Sequence, residues 1–78
     1  MSSITDVLIE ARKAAKMTQQ QLAEHLGVTQ GTLADVERGR RPFPRERIAK
    51  LPKAIRRQMI NAAIDELRHQ IAELRAMR

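Results

Sequence analysis

The chain has 78 residues, of which 31% are charged and 1% are aromatic, and its formal net charge is +6. It contains no cysteine, which excludes a disulfide framework and a cysteine-ligated zinc site. No apolar run approaches the ~20 residues needed to span a bilayer, and the N-terminus lacks the features of a signal peptide. We therefore expect a small, soluble, cytoplasmic protein.

The positive charge is concentrated in the middle of the sequence. Residues 40–57 carry 8 basic side chains and a single acid, Glu46, whereas residues 1–39 have a net charge of −1 and residues 58–78 are neutral. Such a basic island attracts a polyanion, and nucleic acid is the commonest polyanion in this compartment. An arginine-rich solvated surface explains the charge equally well, so charge alone leaves both interpretations open.

All periodic segments of the chain predict α-helices, because no segment alternates apolar and polar residues as a strand does. A first helix is predicted from about residue 4 to residue 16, with Ser3 at its N-cap. Thr18 and Gln21 have the spacing of a capping box at the start of a second helix, which Gly27 is suited to end.

A third helix is predicted after one further residue, with Thr29 as its N-cap and Gly39 at its end. Pro42 and Pro44 block its continuation, and a short helical turn over residues 45–51 is expected next.

Pro52 is suited to start a last helix, predicted from about residue 53 to residue 77. We accordingly divide the chain into a compact unit over residues 1–52 and a C-terminal helix over residues 53–78. The first part of that helix is expected to close the core.

The second and third helices are joined by a tight turn at Gly27-Val28, which is the requirement of a helix-turn-helix. Ala23 is small enough to permit the close approach of the two helices. The helix over residues 30–37 then projects from the surface and can enter a DNA major groove.

Residues 7–42 resemble the phage Cro and C1 repressor family of helix-turn-helix domains, also called Xre-like. The resemblance rests on residues 17–39, MTQQQLAEHLGVTQGTLADVERG, through the spacing of Thr-Gln, Leu-Ala, Leu-Gly-Val and Glu-Arg-Gly. It implies an all-α fold of the lambda-repressor-like type with a long C-terminal dimerisation helix. It also implies a sequence-specific regulator of transcription that binds double-stranded DNA.

The resemblance further implies roles for individual side chains. The positions expected to read bases are Gln30, Gly31, Thr32 and Asp35. The positions expected to contact phosphate are Thr18, Gln19, Thr29, Arg38, Arg40 and Arg41. A structural salt bridge is expected between Arg12 and Glu37.

The groove-facing side chains have distinct hydrogen-bonding capacities. Gln30 can bond adenine, Thr32 can bond a base or touch a thymine methyl, and Asp35 can accept from cytosine N4. An alternative for Asp35 is a pair with Arg38 within the helix. Because Gly31 lacks a side chain, the helix can also lie deep in the groove and leave specificity to DNA shape.

The last helix carries a heptad seam whose apolar residues follow spacings of 4, 3, 4 and 3: Ile60, Ile64, Leu67, Ile71 and Leu74. Branched Ile at a with Leu at d favours two strands, and Arg68 and Arg75 at e favour parallel pairing weakly. We therefore expect a homodimer on an inverted-repeat operator. The alternative is that the seam packs onto the first three helices, a role expected instead for Ile55 and Met59.

An enzyme is not expected, because His25 and His69 stand apart and no glycine-rich phosphate loop exists. We expect no cofactor and no metal. An autorepressor that is nucleoid-associated through DNA binding is the preferred role. The alternatives are an antitoxin that also represses its own promoter and binds a toxin partner, or a regulator of an anti-CRISPR or other mobile-element operon. RNA binding is disfavoured by a single aromatic residue, Phe43.

Overall fold

The computed structural model describes residues 3–78, and within them every regular element is helical. The elements in chain order are α1 (Ile4–Ala14), α2 (Gln19–Leu26), α3 (Gln30–Glu37), a 3-10 helix (Arg45–Lys50) and α4 (Lys53–Ala76). The prediction of an all-α fold with a long last helix is confirmed. None of the helices in this part of the chain is both long and apolar enough to cross a bilayer.

The first three helices begin at the side-chain caps that the sequence predicts. The Ser3 hydroxyl accepts a hydrogen bond from the Asp6 N–H at 3.1 Å, and the Thr29 hydroxyl accepts one from the Thr32 N–H at 3.1 Å. Thr18 and Gln21 form a complete capping box, with bonds of 2.9 and 3.1 Å in the two directions. Each cap satisfies a backbone donor that has no partner inside the helix, which fixes where the helix starts.

The same helices end in one recurrent motif, with a left-handed residue just past the last helical turn. The left-handed residues are Lys16, Gly27 and Gly39, with φ values of 57°, 72° and 79°. The next N–H in each case bonds the carbonyl five residues earlier, at 3.1, 3.1 and 2.8 Å for Met17, Val28 and Arg40. These are Schellman motifs, which turn the chain sharply while they satisfy the last carbonyls.

Helix α1 is shorter than predicted, because it ends at Ala14 rather than near residue 16. Lys16 takes the left-handed conformation, although it is not glycine. The Arg12 carbonyl accepts from the Met17 N–H at 3.1 Å, while the Arg12 guanidinium donates to the Met17 carbonyl at 3.0 Å. These two bonds pull the chain back across the end of α1, which accounts for the early termination.

Lys16→Gly is expected to raise the free energy of unfolding by about 0.5–1 kcal/mol. A residue with a Cβ costs about 1–2 kcal/mol in the left-handed conformation, and glycine removes this strain. Part of the gain is lost, because glycine increases the conformational entropy of the unfolded chain. Lys13→Gly is the matched control, because Lys13 is an exposed residue inside α1. That control should lower the free energy of unfolding by about 0.5–1 kcal/mol. Urea denaturation measures both, and a Lys16→Gly variant less stable than the wild type would contradict the explanation.

The core lies between α1, the α2–α3 pair and the first turns of α4. Its buried apolar residues are Ile4, Leu8, Ala11, Leu22, Ala23, Leu26, Leu33, Val36, Phe43, Leu51, Ile55 and Met59. Ile55 and Met59 on α4 have no exposed surface, as expected for the residues that close the core.

The segment between α3 and α4 contributes to the core as well as connecting the two helices. Phe43 and Leu51 are buried on either side of the 3-10 helix, with 6% and 3% of their surface exposed. Neither residue was predicted from the sequence to lie in the core. Because Phe43 is buried, the only aromatic side chain of the chain is not on the surface to stack on a base.

Helix α4 extends beyond the core. Its 24 residues span about 36 Å, and every residue from Leu67 onward is exposed. The exposed fractions along its heptad seam are 42% for Ile60, 43% for Ile64, 57% for Leu67, 41% for Ile71 and 65% for Leu74. The alternative that this seam packs onto the first three helices is therefore wrong.

Candidate nucleic-acid interface

Helices α2 and α3 are separated by a turn of three residues, Gly27, Val28 and Thr29. The left-handed Gly27 begins the turn, and the Thr29 cap begins the next helix. The inward residues Leu22, Leu26 and Leu33 join the two helices through the core. This arrangement leaves the opposite side of α3 available at the surface.

The outer face of α3 presents few but distinct side chains. Gln30 and Gly31 are exposed in its first turn, and Thr32 and Asp35 are half-buried farther along. Leu33 and Val36 point into the core, as predicted from the helical period. The residues expected to read bases therefore lie on one helix, with Gln30 the most accessible hydrogen-bonding group among them.

The hydroxyl groups of Thr29 and Thr32 are linked at the start of α3. Thr29 Oγ1 accepts from the Thr32 N–H at 3.1 Å and donates to Thr32 Oγ1 at 2.9 Å. One of the two hydroxyl protons is therefore used between these side chains, and the other hydroxyl proton can still bond an external acceptor.

A polar network ties α1, α2 and α3 together behind this face. Arg12 donates from Nε to Glu37 Oε2 at 2.9 Å and from Nη2 to Glu37 Oε1 at 3.0 Å, a bidentate pair. The two side chains are only 12% and 7% exposed. Arg12 and Glu37 thus form the salt bridge that the family resemblance implies.

Gln19 joins the same network from the N-terminus of α2, where its Nε2 donates to Glu37 Oε1 at 3.1 Å. The side-chain amide that the resemblance directs toward a phosphate is therefore partly occupied inside the protein. The backbone N–H group of Gln19 lies in the first turn of α2, where the helix dipole favours an anion.

Asp35 has a different partner from the one considered in the sequence analysis. Its Oδ2 lies 3.9 Å from Arg41 Nε, whereas no ion pair with Arg38 forms within residues 3–78. The i,i+3 pair with Arg38 was therefore wrong. The Schellman motif explains the difference, because it folds the chain after Gly39 back so that the Arg40 and Arg41 N–H groups bond the Asp35 carbonyl. Arg41 is thus brought back over the last turn of α3.

The family of this chain follows from its match to a family model. A family model described as Helix-turn-helix matches residues 8–59, from α1 through the first turns of α4. The chain belongs to the Cro/C1-type helix-turn-helix family. It is accordingly a DNA-binding transcription regulator, in a family defined by DNA binding and not by catalysis. Comparisons with curated proteins and with solved structures gave no match.

The basic island divides into two groups around this helix-turn-helix. Arg45 pairs with Glu66 on α4, Arg47 caps α2, and Arg56 donates to the Ala49 carbonyl at 3.4 Å. These three arginines hold the 3-10 helix against its neighbours. The other cations of the island are all exposed: Arg40, Arg41, Lys50, Lys53 and Arg57.

Arg47 holds the turn of the helix-turn-helix in place, a role that was not predicted from the sequence, where Arg47 counted only as part of the basic island. Its Nη1 donates to the Leu26 carbonyl at 2.7 Å and to the Gly27 carbonyl at 3.5 Å, across the end of α2. A Cβ on Gly27 would lie 3.0 Å from that nitrogen. Glycine is therefore favoured at the turn of the helix-turn-helix, because its backbone is left-handed and because a Cβ would displace the Arg47 guanidinium. The sequence carried no specific signal for this contact, because Arg47 lies 21 residues beyond Leu26.

No group of His, Asp or Glu side chains within residues 3–78 is arranged to hold a metal ion.

Proposed function

We propose that this protein is an autorepressor that binds an inverted-repeat operator as a homodimer, with α3 of each protomer in a major groove. The observation that carries the proposal is the surface of α3. Its exposed first turn presents Gln30, and its C-terminal end is followed directly by the exposed cations Arg38, Arg40 and Arg41. Hydrogen-bonding groups beside a cluster of cations match the bases of a groove and the phosphates at its edge.

Specificity in this proposal comes from a small number of base contacts. Gln30 bonds an adenine through its carboxamide, and Thr32 bonds a base through its hydroxyl or touches a thymine methyl. Asp35 accepts from cytosine N4 at the far end of the site. Gly31 is not required by the protein itself, because a Cβ there would meet only Thr29 Oγ1 at 4.0 Å. Its role is to let the helix backbone approach the base edges closely.

Affinity comes mainly from phosphate contacts on both sides of α3. Thr18 and Gln19 lie at the N-terminus of α2, and Thr29 lies at the N-terminus of α3. Both helix ends favour an anion. Arg38, Arg40 and Arg41 contact the backbone beyond the C-terminus of α3.

Dimerisation uses the exposed seam of α4, which packs against the same seam of a second copy of the chain. Ile at the a positions Ile64 and Ile71, with Leu at the d positions Leu67 and Leu74, is the pattern of a two-stranded pair. The seam is self-complementary, and a twofold dimer matches an inverted-repeat operator. We propose parallel pairing, because an antiparallel pair would bring the e-position arginines of the two protomers together.

Selection of bound sequences from random duplexes tests the proposal directly, and recovery of an inverted repeat is the expected result. With that operator in hand, Gln30→Ala should weaken binding by about 1–3 kcal/mol while binding to random DNA stays nearly unchanged. The control is Gln58→Ala, since Gln58 is exposed on α4. An equal loss of affinity for operator and random duplexes would mean that Gln30 contacts the DNA backbone and not a base.

Arg40→Ala should weaken binding to operator and random duplexes alike, because phosphates carry no sequence information. Each phosphate contact contributes about −0.9 to the slope of log affinity against log salt, so loss of one contact per protomer should flatten the slope by about 2. Titrations at several salt concentrations measure this slope. Arg40→Lys keeps the charge and should retain the slope, and an unchanged slope for Arg40→Ala would refute the contact.

A further inference from the structure

The heptad seam of α4 continues toward the N-terminus of the helix with cations in place of apolar residues. Arg57 lies seven residues before Ile64, at an a position, and Lys53 lies seven residues before Ile60, at a d position. Both cations are exposed, and a shallow groove on the protein surface is lined by Lys53, Arg57 and Ile60 together. The apolar seam and the two cations therefore form one continuous strip on a single face of α4.

Neither cation forms an ion pair within the described residues. No carboxylate lies within 4.0 Å of Lys53 or Arg57 in residues 3–78. Glu66 is engaged by Arg45, and Asp65 lies eight residues beyond Arg57, about 12 Å along the helix. An isolated protomer tolerates this arrangement, because both side chains are in water.

Pairing of two α4 helices would bring the cations of the two protomers close together. In a parallel pair each a residue faces its counterpart, and each d residue does the same. Lys53 and Arg57 of both protomers would then lie beside the twofold axis, with four positive charges inside little more than one helical turn. Like charges at this distance repel, and the repulsion is strongest at low ionic strength.

We propose that the strip end formed by Lys53 and Arg57 of both protomers binds the phosphodiester backbone of DNA, so that the DNA completes a dimer which the free protein forms only weakly. This inference rests on the parallel homodimer of the proposed function. A polyanion is the fitting ligand, because four clustered cations need several negative charges at once and residues 3–78 place no carboxylate within 4.0 Å of them. DNA bound by the two α3 helices is the polyanion already present on the twofold axis of the complex.

The consequence is that dimerisation and DNA binding are coupled. Repulsion between the strip ends opposes pairing in the free protein, and phosphates remove that repulsion when both protomers are bound. Two occupied half-sites therefore stabilise each other by more than the apolar seam alone provides.

Sedimentation equilibrium without DNA tests the repulsion, with the wild type compared with Lys53→Gln/Arg57→Gln. We expect the double variant to dimerise about tenfold more tightly than the wild type at low salt, and the difference to disappear at high salt where charges are screened. Lys13→Gln/Lys16→Gln removes the same net charge from exposed positions on and just beyond α1. That control should change the dimer dissociation constant much less.

Titration of a mixed-sequence DNA duplex tests the phosphate contacts. Loss of four cations per dimer should reduce the slope of log affinity against log salt by about 3–4 for Lys53→Gln/Arg57→Gln. An unchanged slope overturns the inference, as does a wild-type dimer that the double variant fails to tighten at low salt. If neither protein dimerises at any salt concentration, the homodimer of the proposed function fails as well, so the two failures are distinguishable.

Discussion

Glu37→Gln is expected to lower the free energy of unfolding by about 3 kcal/mol, toward the lower end of the range for breaking a buried ion pair. The Glu37 carboxylate accepts from Arg12 through two nitrogens and from Gln19 through a third, at distances of 2.9 to 3.1 Å. The substitution keeps the volume of the side chain and removes its charge. Arg12 is then left 12% exposed with no counter-ion, which is the main cost.

Urea denaturation at a fixed protein concentration measures the change. Glu24→Gln is the matched control, because Glu24 is exposed on α2 and has no ion-pair partner within the described residues. It should change the free energy of unfolding by about 0.5 kcal/mol or less. Replacement of both Arg12 and Glu37 by apolar residues should cost less than the sum of the two single changes, since neither charge is left alone. A loss below about 1 kcal/mol for Glu37→Gln would mean that the pair is effectively solvated.

Leu67→Glu is expected to weaken dimerisation by about a thousandfold and to abolish tight binding to a two-site operator. Each protomer loses about 1.5–3 kcal/mol of apolar burial, and the paired helices gain two unneutralised carboxylates at their centre. Binding to a single half-site should change little, because Leu67 lies outside the helix-turn-helix. The fold should survive, since Leu67 is 57% exposed in the protomer.

Light scattering and operator titration measure the two effects of Leu67→Glu. Gln58→Glu introduces the same charge at an exposed position of α4 that lies off the seam. This control should leave the dimer mass unchanged. A Leu67→Glu variant that keeps the mass of a dimer would remove the seam from the proposed interface.

Local hydrogen-bonding chemistry made most of the fold predictable. Ser3, Thr18 and Thr29 cap their helices through bonds to residues three positions away, so sequence spacing alone locates them. Gly27 and Gly39 adopt the left-handed conformation that glycine takes at little cost. Lys16 adopts the same conformation without that advantage, and its position was missed because Arg12 imposes it through the Met17 carbonyl.

Contacts between distant parts of the chain were not predictable in the same way. Arg47 donates a hydrogen bond to the end of α2, about twenty residues away in the sequence, and Arg45 forms an ion pair with Glu66 on α4. Both arginines looked like members of one basic island, because composition does not distinguish a solvated cation from one that caps a helix. The burial of Phe43 was not predictable either, because its neighbours Pro42 and Pro44 indicated only a loop.

The last turns of α4 bear on how long a single subunit survives in the cell. Contacts between α4 and the core end near Glu66, and residues 67–78 are exposed on all sides. A helical segment of about ten residues without packing is marginal in water, and loosened segments are where proteolysis begins. Pairing in the proposed homodimer would cover this segment, so we expect unpaired subunits to be degraded faster than paired ones. The abundance of the regulator would then fall abruptly once its concentration drops below the level that supports pairing, which would sharpen the response of the genes it controls.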